Sequence, residues 1–458
     1  MNFISAKGSV DDVSILHVFN LLGYIVVLFH LIFTDPSTYD FPVILWWWKN
    51  VCPHDDTPTL HYINCGGGSM CLASSERYHL DDPRTKAIIF YGSSVYPDDL
   101  PLPRKVDHLW NLIHEESPMN NYMLSHAAFV ELFNFTATFR RESDYPLTSQ
   151  NIYSLNYLTD RKPVSTEDKN RKIREQGYAP VLYIQSHSNV ASDRDTYVQQ
   201  LMKYVAVDSY GKCLHNKDLP ESMRTAEDSF EAEEFLDFIA HYKFHIAFEN
   251  AICRDYMTEK LMRALHVGSI PIYLGSPVVQ DWMPNNNSVI VAQDFESPED
   301  LVNYIHFLNE NDKKYEEFLK HKLSEGITNS FLVNHLRERK WQSHPSGSPE
   351  SGDVNMFLGF ECYVCKQIHV ISRDRLLNSS FSRTANISHT GCQEPKKSIK
   401  SASKTKGDFY WTKVYRQQED KAWSARRMVD SGESNSSQFY RYYRYHQTRN
   451  AEMTCMVE

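Results

Sequence analysis

Several widespread nucleotide-binding signatures are missing from this sequence. It contains neither GxGxxG nor GxxxxGK[ST], so neither a nicotinamide dinucleotide fold nor a P-loop is indicated. No repeat of about 20 to 50 residues is visible, so a repeat architecture is not indicated either. An excess of positive charge is also missing: the 458 residues carry a formal net charge of -10, which argues against a protein that binds mainly to a phosphate backbone.

Charge is distributed unevenly between the body and the C-terminal tail. Residues 366–458 contain 17 Lys and Arg against 9 Asp and Glu, a balance of +8 that leaves -18 on residues 1–365. Hydrophobic residues make up 41% of the chain, a globular composition, and the length predicts two domains with appendages. We predict that the basic, Tyr-rich tail is a solvated, partly disordered extension; a patch for nucleic acid or acidic lipid is the alternative.

An uncharged apolar segment lies near the N-terminus. Residues 13–33 contain no Asp, Glu, Lys or Arg, and a bilayer needs about 20 such residues. No small-residue cleavage site follows Phe33, and the segment is longer than the apolar part of a signal peptide. We predict a cytoplasmic tail at 1–12, a transmembrane signal anchor at 13–33 and a stem at 34–40. A signal peptide or a buried core helix is the alternative.

The nine cysteines and the N-x-S/T sequons are consistent with a body in a secretory lumen. A CxxC pair can belong to a zinc or redox site, but no second CxxC or His pair at metal-ligand spacing follows this one. We therefore predict disulfide bonds, and the candidates are Cys65, Cys71, Cys362 and Cys365. The candidate N-glycosylation sites are Asn134, Asn286, Asn378, Asn386 and Asn435.

Strand-like and helix-like segments alternate along the body, which predicts parallel sheets built from βα units. The strand-like segments are residues 41–48, 87–92, 178–186, 207–211, 243–250 and 269–275. The helix-like segments are residues 107–118, 196–205, 233–242 and 258–268, the last ending at Gly268.

The densest group of candidate functional residues lies where a strand is followed by a helix. The strand delivers Glu249 and Asn250, a polar loop carries Tyr256, and the helix begins near Thr258 with Lys260 in its first turn. Unpaired amides and the positive end of the helix dipole favour an anionic phosphate there, and Lys260 adds a full charge. On spacing alone, an ordinary helix with a surface lysine remains the alternative.

A second group surrounds Arg194, which stands between Asp193 and Asp195 at the start of a helix. The D-x-D pattern is typical of manganese-dependent nucleotide-sugar transferases, in which carboxylates hold the cation. Metal-binding carboxylates should follow a strand, however, whereas Asp at the start of a helix is favoured as a cap. We therefore predict that the aspartates cap the helix and that no metal site is present.

A third group contains the adjacent carboxylates Glu115 and Glu116, followed by Ser117 and Pro118. Neighbouring carboxylates repel, which raises the proton affinity of one of them, as a general base requires. A solvated acidic turn is the alternative that the spacing leaves open.

In this order, the three groups resemble the alpha-(1,3)-fucosyltransferases of glycosyltransferase family 10. The most specific stretch is FENxxxxDYxTEK, followed by GSIP and YLGSP; LFNFTATFRRESDYPL, VDSYGKC and DWMPNNNSVI support it. The resemblance covers about residues 41–365 and implies an α/β fold of the GT-B type with two facing Rossmann-like domains. These would be an acceptor-side domain at 41–176 and a GDP-fucose-binding domain at 177–365, with a transmembrane helix before them and a basic extension at 366–458.

The resemblance implies inverting transfer of fucose from GDP-β-L-fucose, a co-substrate, with no cofactor and no metal. Glu116 matches the general base of the family. The matching donor-binding residues are Arg194 and Lys260 for the diphosphate, Asn250, Tyr256 and Glu259, with Glu249 and Tyr210 as further contacts. The physical chemistry agrees, because cations and a helix N-terminus can neutralise the departing GDP in place of a metal.

One departure from the family pattern concerns the acceptor. Lewis-type members carry His-His-Arg-Glu/Asp after the second strand, where this chain has FYGS at residues 90–93. With HEESPMNN and FECYVC, this resembles the divergent alpha-(1,3)-fucosyltransferase 10-like branch, the protein O-fucosyltransferases. The implied acceptor is Ser or Thr of disulfide-rich, EMI-type domains in the Golgi or endoplasmic reticulum, and no nucleic acid is involved. The alternatives are GlcNAc of N-glycans and a catalytically weak luminal binding module or chaperone.

Overall fold

The structure is a computed structural model that describes residues 39–54, 60–223, 232–343, 354–377, 382–398 and 409–457. The predicted cytoplasmic tail and signal anchor, and all but the last two residues of the predicted stem, lie outside these ranges. Within them, no helix has both the length and the apolar character needed to cross a membrane.

The first sheet has six strands in the order β2-β3-β1-β4-β5-β6. Their bounds are Val43–Trp46 (β1), His61–Asn64 (β2), Met70–Ser74 (β3), Thr85–Tyr91 (β4), Leu109–His114 (β5) and Phe135–Thr138 (β6). All neighbours are parallel except β2 and β3, which form an antiparallel pair. Strands β1 and β5 are buried at every position, as expected for parallel strands that are covered on both faces.

Strand β5 corrects a prediction. Residues 107–118 were expected to form a helix, but LWNLIH within them is a central strand between β4 and β6. Such a short apolar run fits a buried strand and a buried helix equally well, because its periodicity does not distinguish them. The pairing with both neighbours decides the conformation.

The second sheet has five parallel strands in the order β11-β10-β9-β7-β8. Their bounds are Val181–Tyr183 (β7), Val207–Ser209 (β8), Phe244–Phe248 (β9), Ile270–Leu274 (β10) and Ile290–Val291 (β11). Each of these strands except β11 was predicted from the sequence. The fold is therefore α/β with two largely parallel sheets.

Helices cover and connect the sheets. Their bounds are Ala127–Val130 (α1), Leu155–Thr159 (α2), Thr166–Gln176 (α3), Arg194–Leu201 (α4), Glu233–Ile239 (α5), Glu259–Val267 (α6), Pro298–Glu310 (α7), Asp312–Glu317 (α8), Lys320–Leu323 (α9), Ser330–Glu338 (α10), Met356–Leu377 (α11), Tyr410–Ser431 (α12) and Ser436–Val457 (α13). Helix α6 ends at Gly268 as predicted, and the φ of 72° there is one that glycine adopts without steric cost.

Helix α11 returns to the first sheet. Its Phe360 and Val364 pack with Ile44 and Ile89 of β1 and β4. All four predicted cysteines form disulfides, which join Cys65 to Cys362 and Cys71 to Cys365. Residues 356–365 thus pack with the first sheet, although the sequence assigns them to the second domain.

The C-terminal extension also differs from the prediction. Helix α12 places Ala422, Ala425 and Met428 in buried positions, and two of them belong to the core beneath β4 and β5. A third disulfide joins Cys253 to Cys392. In its described part, this region is folded onto the body, because its small apolar residues recur at helical spacing and meet the first domain.

Candidate functional site

The candidate residues from both halves of the chain meet where parallel strands end. Glu116 follows β5, and Asn250 follows β9. Ligands in α/β proteins bind beyond the carboxyl ends of such strands. The two halves touch here directly, because the ring of Phe139, after β6, lies 5.4 Å from the ring of Tyr256, after β9.

The start of helix α6 is organised around Thr258. Thr258 is the N-cap, its hydroxyl accepts from the amide of Lys260, and the Lys260 Nζ lies 3.1 Å from the same oxygen. Glu249, which is completely buried, accepts from the Thr258 amide at 2.7 Å and from its hydroxyl at 2.8 Å. Glu249 therefore lies beneath the helix start and supports it, whereas the sequence suggested a donor contact.

The two carboxyl groups near Lys260 have opposite pKa shifts. Burial raises the pKa of Glu249 to about 7 against the opposing effect of Lys260. Burial also acts to raise the pKa of Glu259, but Lys260 and Arg263 outweigh it and lower this pKa to about 2. The Lys260 Nζ lies 2.8 Å from Glu259 and 4.0 Å from Glu249. Lys260 thus pairs with Glu259, whose pKa is lowered, and lies near Glu249, whose pKa is raised.

Arg194 is a buried cation whose hydrogen bonds, among the described residues, all go to uncharged groups. Its side chain donates to the carbonyls of Phe248 and His187, both at 2.9 Å, and to Asn250 Oδ1 at 2.8 Å. The residue is 1% exposed, and its Nε has no hydrogen-bond partner in the described part of the chain. No carboxylate in the described part of the chain forms an ion pair with it. A buried charge without a counter-charge is costly, so this position favours an anionic ligand.

Contrary to the prediction, the aspartates beside Arg194 do not cap helix α4. Asp193 occupies the N-cap position with a φ of 52° and makes no side-chain hydrogen bond to the helix amides. Its carboxylate accepts from the Thr196 hydroxyl at 2.7 Å and from the amide of Ser398 at 3.1 Å. Asp195 accepts from the Tyr183 hydroxyl at 2.6 Å. Neighbouring hydroxyls and the C-terminal extension compete successfully for these carboxylates.

The adjacent carboxylates Glu115 and Glu116 lie in different environments. Glu115 accepts from the Tyr91 hydroxyl at 2.9 Å, and its Oε2 is buried without a hydrogen-bond partner among the described residues. Burial, more than repulsion by Glu116, raises the pKa of Glu115 to about 7. Glu116 is exposed. The proposed base is thus the accessible member of the pair.

Tyr210 lies in a chain of hydroxyls at the far side of the second sheet. Its hydroxyl is 2.5 Å from that of Tyr242, which donates to Asp208 at 2.9 Å. Its ring packs with Phe238 of α5. Lys260 lines a cavity of about 40 Å³ with Gln185 of the β7 end, and Tyr210 is not among the residues that line this cavity.

An ion pair between the two halves was not predicted from the sequence. Arg141, three residues after β6, donates to Asp255 at 2.9 Å from Nε and 2.6 Å from Nη2. Asp255 is completely buried, has a φ of 63°, and also accepts from Trp282 Nε1 at 3.0 Å. Arg141 and Asp255 both lie in stretches that carry the family resemblance. Because 114 residues separate them, the local sequence does not indicate that they pair.

Four of the five sequons are in the described part of the chain, and Asn378 is outside it. Asn286, Asn386 and Asn435 are exposed. The Asn134 side chain is engaged by the fold, because it accepts from Arg104 and the Trp110 amide and donates to the carbonyl of Arg383.

Two family models match the two halves of the chain. The family model described as fucosyltransferase, N-terminal, matches residues 40–149, and that described as glycosyltransferase family 10 (fucosyltransferase) C-term matches residues 175–378. A crystal structure of an alpha1,3-fucosyltransferase with GDP aligns over 78% of this chain and 95% of its own, with 16% identity and a TM-score of 0.36.

Curated relatives are much more similar in sequence. GDP-fucose protein O-fucosyltransferase 3 of Gallus gallus is 37% identical over 409 residues, which is 88% of this chain and 83% of the relative. The protein of the same name from Homo sapiens is 38% identical over 403 residues, with 87% and 81% covered. The chain therefore belongs to glycosyltransferase family 10, the fucosyltransferases.

Proposed function

We propose that this protein is an inverting O-fucosyltransferase that moves L-fucose from GDP-β-L-fucose to Ser or Thr of folded, disulfide-rich luminal protein domains of the EMI type. The two sheets would face each other in the GT-B manner, with the donor on the second. The observation that carries the donor assignment is Arg194, a buried cation beside Asn250 that forms no ion pair with a carboxylate of the described residues. The names of the relatives support a protein acceptor.

The donor diphosphate would occupy the space between Arg194 and the start of α6. Arg194 is fixed by backbone carbonyls, so little reorganisation is needed when negative charge develops on the leaving GDP. Lys260 would exchange part of its contact with Glu259 for the diphosphate, and the helix N-terminus adds its partial positive charge. These three contributions replace the charge that a metal would provide.

Inversion would take place in a single displacement. Glu116 accepts the proton of the acceptor hydroxyl while that oxygen forms a bond to the anomeric carbon of fucose. The bond from this carbon to the diphosphate oxygen breaks, and its electron pair leaves with GDP. Attack from the face opposite GDP converts the β-linked donor into an α-linked product.

The disulfides support a luminal compartment for the body. Three bonds, Cys65 to Cys362, Cys71 to Cys365 and Cys253 to Cys392, join distant parts of the chain, and such bonds persist in an oxidising lumen. We place the body in the lumen of the Golgi or endoplasmic reticulum, held by the segment at 13–33 as a type II signal anchor.

The test is transfer of labelled fucose by the purified luminal body, incubated with GDP-fucose and two acceptor panels. One panel contains folded EMI-type domains and the same domains after reduction, and the other contains N-glycans with exposed GlcNAc. We expect transfer to Ser or Thr of the folded domains alone. Transfer to GlcNAc would contradict the acceptor assignment, and donor binding without transfer to any acceptor would favour the binding module.

A further inference from the structure

The C-terminal extension crosses from the first domain to the donor-binding half of the site. Residues 382–392 follow the edge of the first sheet, where the amide of Ala385 donates to Phe133 at 2.8 Å and Arg140 donates to the Gly391 carbonyl at 2.6 Å. Residues 392–398 then reach the second domain. The disulfide to Cys253 and the bonds from Ser398 to Asp193 hold them there.

Both attachment points lie in the segments that carry the donor-binding candidates. Asp193 directly precedes Arg194, and Cys253 lies between Asn250 and Tyr256. Helix α12 adds a further attachment, because Trp411 Nε1 donates to the carbonyl of Asn189 at 2.8 Å. An extension that only covered the surface would have no reason to be cross-linked at the site.

The disulfide belongs to a small cluster between the two domains. Cys253 and Cys392 pack with Phe139 and Tyr256, and all four residues are at most 8% exposed. Phe139 comes from the first domain, Tyr256 from the second, and Cys392 from the extension. The cluster therefore fixes the position of one domain relative to the other at the point where the donor loop passes.

Tyr256 connects this cluster to the proposed base. Burial raises the pKa of the Tyr256 hydroxyl, the carboxyls of Glu249, Glu259 and Glu116 raise it further, and hydrogen bonding with the Ser117 side chain lowers it. Ser117 directly follows Glu116, and its hydroxyl accepts from the Met119 amide, which shapes the turn that carries Glu116. A continuous path of contacts thus runs from the extension through Tyr256 to the base.

We propose that the Cys253–Cys392 disulfide and the extension that it anchors are positioning elements of catalysis, which hold Tyr256 between the donor loop and the turn of Glu116. This inference rests on the proposed function. A displacement of about 1 Å between a base and its reaction partner lowers rates by up to about a hundredfold. The extension would thereby set how closely the acceptor-side base approaches the bound donor.

The experiment compares two disulfide deletions in the same protein. One variant is Cys253→Ser with Cys392→Ser, and its matched control is Cys65→Ser with Cys362→Ser, which removes a bond between the loop after β2 and α11. We expect the first to lower kcat for fucose transfer by at least about tenfold with little change in the Kd of GDP. The control should retain kcat even where its melting temperature falls.

A double-mutant comparison distinguishes positioning from general stability. Tyr256→Phe should lower kcat strongly in the wild type and in the control, but only weakly once Cys253 and Cys392 are replaced, because both changes interrupt one path. Additive losses, or equal kcat losses in the two disulfide variants, would overturn the inference and leave the proposed function intact. No transfer by the wild type would overturn both.

A milder variant serves if the disulfide deletion does not fold. Phe139→Leu keeps the disulfide but removes the ring that packs on Tyr256 at 5.4 Å. We expect a similar fall in kcat without a change in the Kd of GDP, again smaller in a Tyr256→Phe background. Unchanged kcat in Phe139→Leu would overturn the inference.

Discussion

The donor side and the acceptor side of the site are built differently. Arg194 and Glu249, on the proposed donor side, are at most 1% exposed, and both are held by hydrogen bonds to backbone and side-chain groups. Glu116, on the proposed acceptor side, is exposed in the bend after β5. The proposed donor side is therefore buried, and the proposed base is open to solvent.

The difference matches the chemistry that each side is proposed to perform. The donor does not vary, and stabilisation of its departing diphosphate is strongest where charged groups are fixed and shielded from water. A folded protein acceptor needs room, so its base has to be accessible. Connections between the sides, such as Arg141 to Asp255 and Tyr256 to Phe139, are then needed to keep the open side in register with the fixed one.

Loss of the base is the largest expected effect. Glu116→Gln keeps the size of the side chain but cannot accept a proton, so transfer should fall by about 10² to 10⁴-fold. GDP-fucose binding should be preserved, because the donor side is unchanged. Single-turnover transfer and donor titration measure the two quantities.

Glu115→Gln is the matched control for that experiment. It retains the hydrogen bond from Tyr91 in the half-buried position, and its transfer rate should fall far less. If Glu115→Gln were inactive and Glu116→Gln active, the base would be Glu115 and the assignment of Glu116 would be wrong.

The donor cations come next. Arg194→Ala and Lys260→Ala each remove a charge-assisted contact to the diphosphate, worth about 1.5 to 3 kcal/mol, which predicts about ten- to hundredfold lower kcat/KM. Arg263→Ala, which removes a cation of the same helix α6, is the control and should lose less. Wild-type kcat/KM for GDP-fucose in either donor variant would disprove that residue's role.

A smaller effect concerns pH. Because burial raises the pKa of Glu249 to about 7, this group is protonated below that pH and becomes a carboxylate above it. A negative charge 4.0 Å from the Lys260 Nζ would oppose the diphosphate, so GDP-fucose affinity should fall as pH rises through 7. If binding raises this pKa by one unit, the total loss is about tenfold.

The matched variant for the pH experiment is Glu249→Gln, which stays neutral and can still accept from Thr258. Its GDP-fucose affinity, measured by calorimetry between pH 6 and about 8.5, should not change with pH in this range. An unchanged slope in Glu249→Gln would show that another group causes the titration.

The smallest expected effect is that of chelation. If the buried cations supply the charge for the leaving group, EDTA should leave fucose transfer nearly unchanged, and added manganese should not increase it. Loss of activity in EDTA that manganese restores would contradict the metal-free donor site.

Much of the second domain could be predicted from the sequence because its signals are local. Strand β9, the helix start at Thr258 and the stop at Gly268 each follow from a few consecutive residues. The order Glu249, Asn250, Tyr256, Lys260 also fixes, by chain connectivity alone, that these residues lie at one strand end. The same locality made the family resemblance visible.

Other predictions failed where residues distant in sequence compete. LWNLIH is a strand because two neighbours pair with it. Glu115 is half-buried, and its carboxyl accepts from Tyr91 of another strand. Asp193 bonds to Ser398, which is 205 residues away, instead of capping its own helix. None of these partners is visible in the local pattern.

The sequence by itself determined which residue types stand at the strand ends and helix starts, and therefore the class of chemistry. Only the tertiary structure decided which carboxylate is accessible, that Arg194 is buried without an ion-pair partner among the described residues, and that Cys253 joins the extension at Cys392. The physical reason is that solvation, and with it charge state and access, depends on everything packed around a group. The residues packed around a group come from all parts of the chain, whereas the local sequence specifies only backbone direction and periodicity.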